Sequence, residues 1–371
     1  MVDRKHQHFV PRFLLKHFAT PGTRERAISA IDLDDGKCRD SISIAGQCGR
    51  SFFYGRDGLM EGLLGELEGA AAKAMRALIE LGPERPPFKP EDAVTLLVFI
   101  AAQHGRTPAA VAEQEAQYRG LIERGLANRI ADPEERARGA EYLISRDINA
   151  FGSTQTSVAI GSSLADLADL LVVNDSNVQF VTSDIGVVLH NQWAQPVRGV
   201  GVLGFACSGL QVFLPLSPRH LLVKYDAAIY APPRSTIHIR ATESVHTVNR
   251  FQCAYAERHL YFTGDPDTRA SLVELQRTTP RAYRSKNVHV ERLKQVDGHE
   301  ELIVWHSDQA RLNARLAWLP IRRSMASVPV QQRGQAWRPK AMEAIRSNPR
   351  LTEPPPPPAH LMGKSFKFDP T

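Results

Sequence analysis

Apolar residues recur along this chain with two periods, and the order in which the periods alternate sketches a fold. Ala27-Ile28-Ser29-Ala30-Ile31-Asp32-Leu33 reads as a strand and Ser41-Ile42-Ser43-Ile44 alternates as a second. Asp34-Asp35-Gly36-Lys37 between them supplies an Asp-Gly turn, so the pair predicts a hairpin. Leu63, Leu64, Leu67, Ala71, Ala74, Met75, Leu78 and Ile79 follow helical spacing and predict a helix from about Gly58 to Leu81, closed by Gly82-Pro83. Pro90 opens a second helix with Glu91 and Asp92 in its first turn, where the helix dipole favours negative charge. Its run from Ala93 to Ala102 is almost wholly apolar, which marks a central helix, and Gly105 is expected to cap it in a left-handed conformation. Thr107-Pro108 starts a more polar third helix, and Asp132-Pro133-Glu134-Glu135 starts a fourth that runs to about Ala150. Leu164, Leu167, Leu170 and Leu171 give a fifth.

The pattern then changes period. Gln179–Thr182, Val187–Leu189, Gln211–Leu214 and Leu221–Tyr225 read as short strands, followed by a helix over about Thr242–Glu257 and a strand at Leu260-Tyr261-Phe262. Strands, then helices, then strands again indicate an α+β fold, a central helical bundle packed against a small antiparallel or mixed β-sheet, not a repeated βαβ unit. The expected organisation is one α+β domain over residues 1–276, a basic extension over 277–347, and a tail over 348–371 that carries five prolines at 354–358 and is expected to be disordered.

Composition changes this picture in two places. The 371 residues are 43% hydrophobic, ample for a sizeable core. The net charge of +6 is uneven: residues 277–371 carry 17 Lys and Arg against 8 Asp and Glu, a balance of +9, and the remainder, 29 against 32, comes to −3. A basic extension can meet nucleic acid or another acidic partner, or be merely a solvated surface. No run of 18 apolar residues suggests a membrane span, and the first residues lack the apolar core of a signal peptide. Cys38, Cys48, Cys207 and Cys253 form no CxxC pair and are expected as reduced thiols in a cytoplasmic protein.

No phosphate-cradling P-loop, dinucleotide fingerprint, HExxH or nucleophile-elbow motif is present. What stands out is the opening stretch His6-Gln7-His8-Phe9-Val10-Pro11-Arg12-Phe13-Leu14-Leu15-Lys16-His17-Phe18. Its His-x-x-Pro (His8, Pro11) followed by Leu15 and Phe18 resembles the opening of a bacterial family numbered 4238 among the domains of unknown function. Further echoes come in order: Phe53-Tyr54, Leu67-Glu68, Gln103-x-x-Arg106-Thr107, Phe180-Val181-Thr182-Ser183-Asp184 and Pro215-Leu216-Ser217-Pro218. The resemblance covers roughly residues 6–265. It implies boundaries and candidate residues but no reaction. The family usually follows its Ser-Asp with Asn-Pro-Val, where this chain has Ile185-Gly186-Val187.

Five sets of residues are candidates for chemistry or binding. On an extended segment His6 and His8 share a face, so they can bind a divalent metal, or His8 can serve as an acid or base; the structural alternative is that His8 donates to a backbone carbonyl and fixes the Pro11 turn. Asp184, in a tight turn at a strand end, can hold a metal or orient His8, or can form an Asx-turn. Gln103 and Arg106, at i and i+3 on one helix face, suit an anion or phosphate clamp, or Arg106 is a cation favoured at a helix C-terminus. Glu68 lies beside an apolar stripe and is either a metal carboxylate or the partner of Arg106 in a structural ion pair. Trp305, Trp318 and Trp337 interleave with Arg311, Arg315, Arg322, Arg323, Arg333 and Arg338, which suits base stacking and phosphate contact, or packing of the extension onto its own domain. The expected function is a metal-dependent hydrolase of phosphate esters, nucleic acid included, with His8, Asp184 and Arg106 as catalytic residues and His6, His8, Glu68 and Asp184 as metal ligands. The alternative is a non-catalytic binding protein that holds its partner through the basic extension.

Overall fold

The computed structural model describes residues 5–349 apart from 57, 81–88, 127–129, 144–149, 199–200, 282–286, 297–298, 309–311 and 335. In chain order come β1 (His6–His8), α1 (Arg12–Lys16), β2 (Ala27–Asp32), β3 (Cys38–Ser43) and β4 (Gly49–Ser51). The helical layer follows: α2 (Leu59–Glu80), α3 (Pro90–Gly105), α4 (Pro108–Leu126), α5 (Pro133–Leu143) and α6 (Ala150–Gly161). Then come β5 (Ala168–Asn174), β6 (Thr182–Ser183), β7 (Val188–His190), β8 (Gln211–Ser217), β9 (His220–Tyr225) and β10 (Thr236–Ile239). The chain continues through α7 (Thr242–Tyr255), β11 (His259–Phe262), α8 (Pro266–Thr278), β12 (Asn287–Val296), β13 (His299–Asp308), α9 (Arg323–Ala326), α10 (Val330–Arg333) and α11 (Pro339–Arg346).

A mixed sheet in the order β10-β5-β9-β8-β7 stands at the centre, with β10 parallel to β5 and the other pairs antiparallel. Side chains alternate between its faces. Leu171, Val212, Leu214, Leu216 and Leu222 pack with α1, α2 and α3 in one core. Leu170, Val172, Phe213, Leu221 and Val223 pack with α7 and the segment from Leu312 to Leu319 in another. An antiparallel sheet, β3-β2-β11-β6, lies between the first core and a third built with α7 and α8. The fold is thus α+β, as expected.

The local expectations met different fates. The hairpin forms as β2 and β3, turning at Gly36 with φ +69°. Helices starting at Pro90, Pro108 and Pro133 are present, because proline at the first helical turn is a local signal. Leu164–Leu171 is not a fifth helix: a short 3-10 turn over Ser162–Leu164 leads into β5. With both sheet faces covered, β5 shows a continuous apolar run that periodicity cannot tell from a buried helix. The strand expected at Gln179–Thr182 shrinks to β6, and α6 and α8 were not foreseen.

Gly105 takes no left-handed cap. It ends α3, Arg106 is the C-cap with φ −96°, and α6 packs so tightly that a Cβ on Gly105 would collide with the Ser157 side chain. The helix stop at Gly82-Pro83, the guanidinium of Arg311 and the prolines at 354–358 lie outside the described residues.

The segment from Leu312 to Arg346 packs onto the fold: Leu312, Leu316 and Leu319 are buried, and Arg333 donates to the carbonyls of Val328, Trp193 and Ala326, 2.9 Å each. Trp318 is half-buried, Trp337 is exposed, and Trp305 lies on β13.

Candidate functional site around Arg106

The site starts from the opening stretch. β1 pairs antiparallel with β4, and α1 buries Leu14 and Leu15 in the first core together with Phe18. Gln7 between the two histidines is buried: its Oε1 accepts from the Tyr54 amide at 2.6 Å and its Nε2 donates to the Gly55 carbonyl at 2.9 Å. His6 and His8 do share a face, with ring centroids 4.9 Å apart. His8 Nε2 lies 3.1 Å from the Ala45 carbonyl. A carbonyl only accepts, so that nitrogen carries the proton and Nδ1 keeps its lone pair. Burial lowers the His8 pKa, the Ala45 bond opposes it, and the nearby His6, Arg12 and Arg106 lower it further, so the ring is neutral near pH 7.

The end of α3 supplies the charge. The Gln103 amide nitrogen donates at 3.0 Å to both the Phe9 and the Ile185 carbonyls, which ties the opening stretch to the turn after β6. Its oxygen accepts from Arg106 Nε at 2.8 Å. Arg106 is 1% exposed, with its guanidinium over the Phe99 ring, 5.7 Å from the centroid. Its Nη1 donates to Glu68 Oε1 at 2.7 Å, and Glu68 is 27% exposed. Nη2 has no hydrogen-bond partner among the described residues, although the Tyr54 side chain lies beside the guanidinium. Tyr54 is buried beside this charge; its hydroxyl donates to the His8 carbonyl at 3.2 Å, and burial pushes its pKa up against the pull of Arg106.

Asp184 is held differently. Its Oδ1 accepts from the Glu257 amide at 2.8 Å, and its Oδ2 from the amides of Arg258 and His259 at 2.6 and 2.8 Å. These three bonds close the turn between α7 and β11. They favour the carboxylate, yet burial outweighs them and raises its pKa to about 6. Next to it, Ser183 donates to Gln252 Oε1 at 2.6 Å, and Gln252 donates to the Gly186 carbonyl at 3.2 Å. Gly186 has φ +72°, a conformation closed to the proline that the resemblance leads one to expect at this place.

The structure therefore gathers His8, Gln103, Arg106 and Glu68, with His6 at the edge, and adds Gln7 and Tyr54, whose roles had no signal beyond the Phe53-Tyr54 echo. Asp184 joins only through the neighbouring Ile185 carbonyl; its own carboxylate is occupied by main-chain donors. Among the described residues, no group of three or more His, Cys, Asp or Glu side chains is close enough to hold a metal ion. No helix among them is long and apolar enough to cross a membrane.

Fold and site together define an α+β protein whose scattered motifs meet around one buried, incompletely bonded arginine. The family model for proteins of unknown function designated DUF4238 matches residues 6–265, and the chain belongs to that family. No curated protein and no solved structure matches it.

Proposed function

We propose that this chain is a cytoplasmic hydrolase of phosphate esters, nucleic acid among them, with Arg106 as the anion clamp. The observation that carries the reading is Arg106 Nη2, a charged nitrogen buried without an acceptor. Such a group favours an oxygen-rich anion, and a guanidinium forks well onto phosphate. Neutral His8 with a free lone pair on Nδ1 suits proton abstraction from an attacking water, whose oxygen forms the new bond to phosphorus while the ester alkoxide leaves. A divalent ion drawing on the His6–His8 pair would occupy that same Nδ1 lone pair, so the metal-ligand and general-base roles of His8 exclude each other.

The test measures inorganic phosphate binding by calorimetry and turnover of p-nitrophenyl and bis-p-nitrophenyl phosphate, with and without Mg²⁺, Mn²⁺ or Zn²⁺. Arg106→Lys is expected to weaken phosphate binding about tenfold or more, since lysine cannot fork. His8→Ala is expected to lower kcat about 100-fold or more with phosphate binding kept. No turnover by wild type, together with phosphate binding indifferent to Arg106→Lys, sinks the reading. The alternative, a nucleic-acid binder using its basic C-terminal segment, draws support from Trp337, which is 57% exposed just before α11, where Lys340 and Arg346 are exposed. It predicts binding of single-stranded DNA that falls steeply with salt and no turnover.

A further inference from the structure

A cavity of about 730 Å³ lies far from this chemistry in role, between the C-terminal segment and the end of the central sheet. Its walls are mostly apolar: Trp193, Ile229, Met325, Ala336, Pro339 and Ala344. That volume falls in the range of small-molecule pockets, which combine apolar walls with a few placed polar groups.

Four charged side chains line it: Asp166, Asp226, Arg338 and Lys340. Both acids are already engaged. Asp226 accepts from the amides of Gly209 at 2.8 Å and Ala228 at 3.0 Å, and Asp166 is paired with Arg338. The unsatisfied groups are donors. Arg338 is 4% exposed; its Nη1 is on Asp166 and its Nη2 on the carbonyls of Ser163 and Phe205, but its Nε has no partner among the described residues. Lys340 is exposed and forms no ion pair with a described residue. A buried charged donor without an acceptor is costly, and Arg338 is one of the residues that line the cavity.

We propose that this cavity binds a small organic anion with a flat or branched apolar body, its acid group drawn to Lys340 on the side of the buried Arg338 charge, while the body packs against Trp193, Ile229 and Met325. The site is independent of the Arg106 chemistry.

The probe is anilinonaphthalene sulfonate, an aromatic anion of the stated class, titrated into the full chain well below its Tm with intact near-UV dichroism, so that binding to unfolded chain does not contribute. Saturable binding with blue-shifted emission is expected, with a rise in Tm at saturating probe. Lys340→Glu, at an exposed position, should weaken it about fivefold, the scale of one exposed charge pair. Ala228→Trp, which fills the cavity mouth, should abolish it, and Lys73→Glu on α2 should leave it unchanged. Absence of saturable binding overturns the proposal, as does equal weakening by Lys340→Glu and Lys73→Glu, which would report net charge alone. If Ala228→Trp fails to fold, the two lysine variants decide.

Discussion

Arg106 and Arg338 are 1% and 4% exposed, and each faces one carboxylate, Glu68 and Asp166 respectively. The rest of their bonding differs. Arg338 donates to the carbonyls of Ser163 and Phe205, main-chain groups from two separate segments that neither titrate nor rotate away. Arg106 is held by two side chains, Gln103 and Glu68, and its charge bears on His8 and Tyr54. The first arrangement fixes the path of the chain. The second presents a charge among groups that can themselves exchange protons. Burial of an arginine does not tell the two apart; the chemical kind of its acceptors does.

The largest effect should fall on the main-chain-bonded arginine. Arg338→Ala strands Asp166 and two buried carbonyls, and is expected to cost about 3–5 kcal/mol in urea unfolding. Glu68 is partly exposed and can rehydrate, so Arg106→Ala should cost clearly less. Equal losses would break the comparison.

Asp184 sharpens it, because it sits beside the Arg106 cluster yet is bonded to main chain like Arg338. Asp184→Asn places an amide donor among three N–H donors and should cost about 2–3 kcal/mol. Its pH dependence has a definite sign. The folded pKa of about 6 lies above the ordinary 3.8, so the folded state holds the proton more tightly than the unfolded chain. That contribution is complete below about 3.8 and is lost as pH rises through about 6. The Tm difference between wild type and Asp184→Asn should therefore narrow from pH 4 to pH 7; a flat difference would show that the three N–H donors dominate after all.

The smallest effect is expected at His8. It makes one bond to the Ala45 carbonyl at the protein's edge, so His8→Ala should cost under about 1 kcal/mol. A larger loss would make His8 a staple of the Pro11 turn.

Much of the fold was legible for local reasons. The β2–β3 hairpin follows from an Asp-Gly turn between alternating strands, and α3, α4 and α5 from prolines at their starts. β5 was misread because a strand covered on both faces loses the alternation that identifies strands. Within the site, the i, i+3 spacing of Gln103 and Arg106 placed both on one face, and the Glu68–Arg106 pair was anticipated as an ion pair. The bond from Gln103 to the Phe9 carbonyl was not, since a main-chain acceptor 94 residues away leaves no mark in the side-chain pattern. Asp184 was read as part of a local turn, whereas its donors lie 73 to 75 residues further on.

By itself, then, the sequence determined the α+β class, the helix starts, the family and a set of polar residues that includes the site. Those depend on turn chemistry, periodicity and motif order, all short-range properties of the chain. Only the tertiary structure decided which of those residues meet, that Asp184 closes a turn, and that Arg106 and Arg338 each keep one buried nitrogen without an acceptor among the described residues. Those outcomes depend on carbonyls and amides brought together from distant segments, and every residue carries the same carbonyl whatever its side chain.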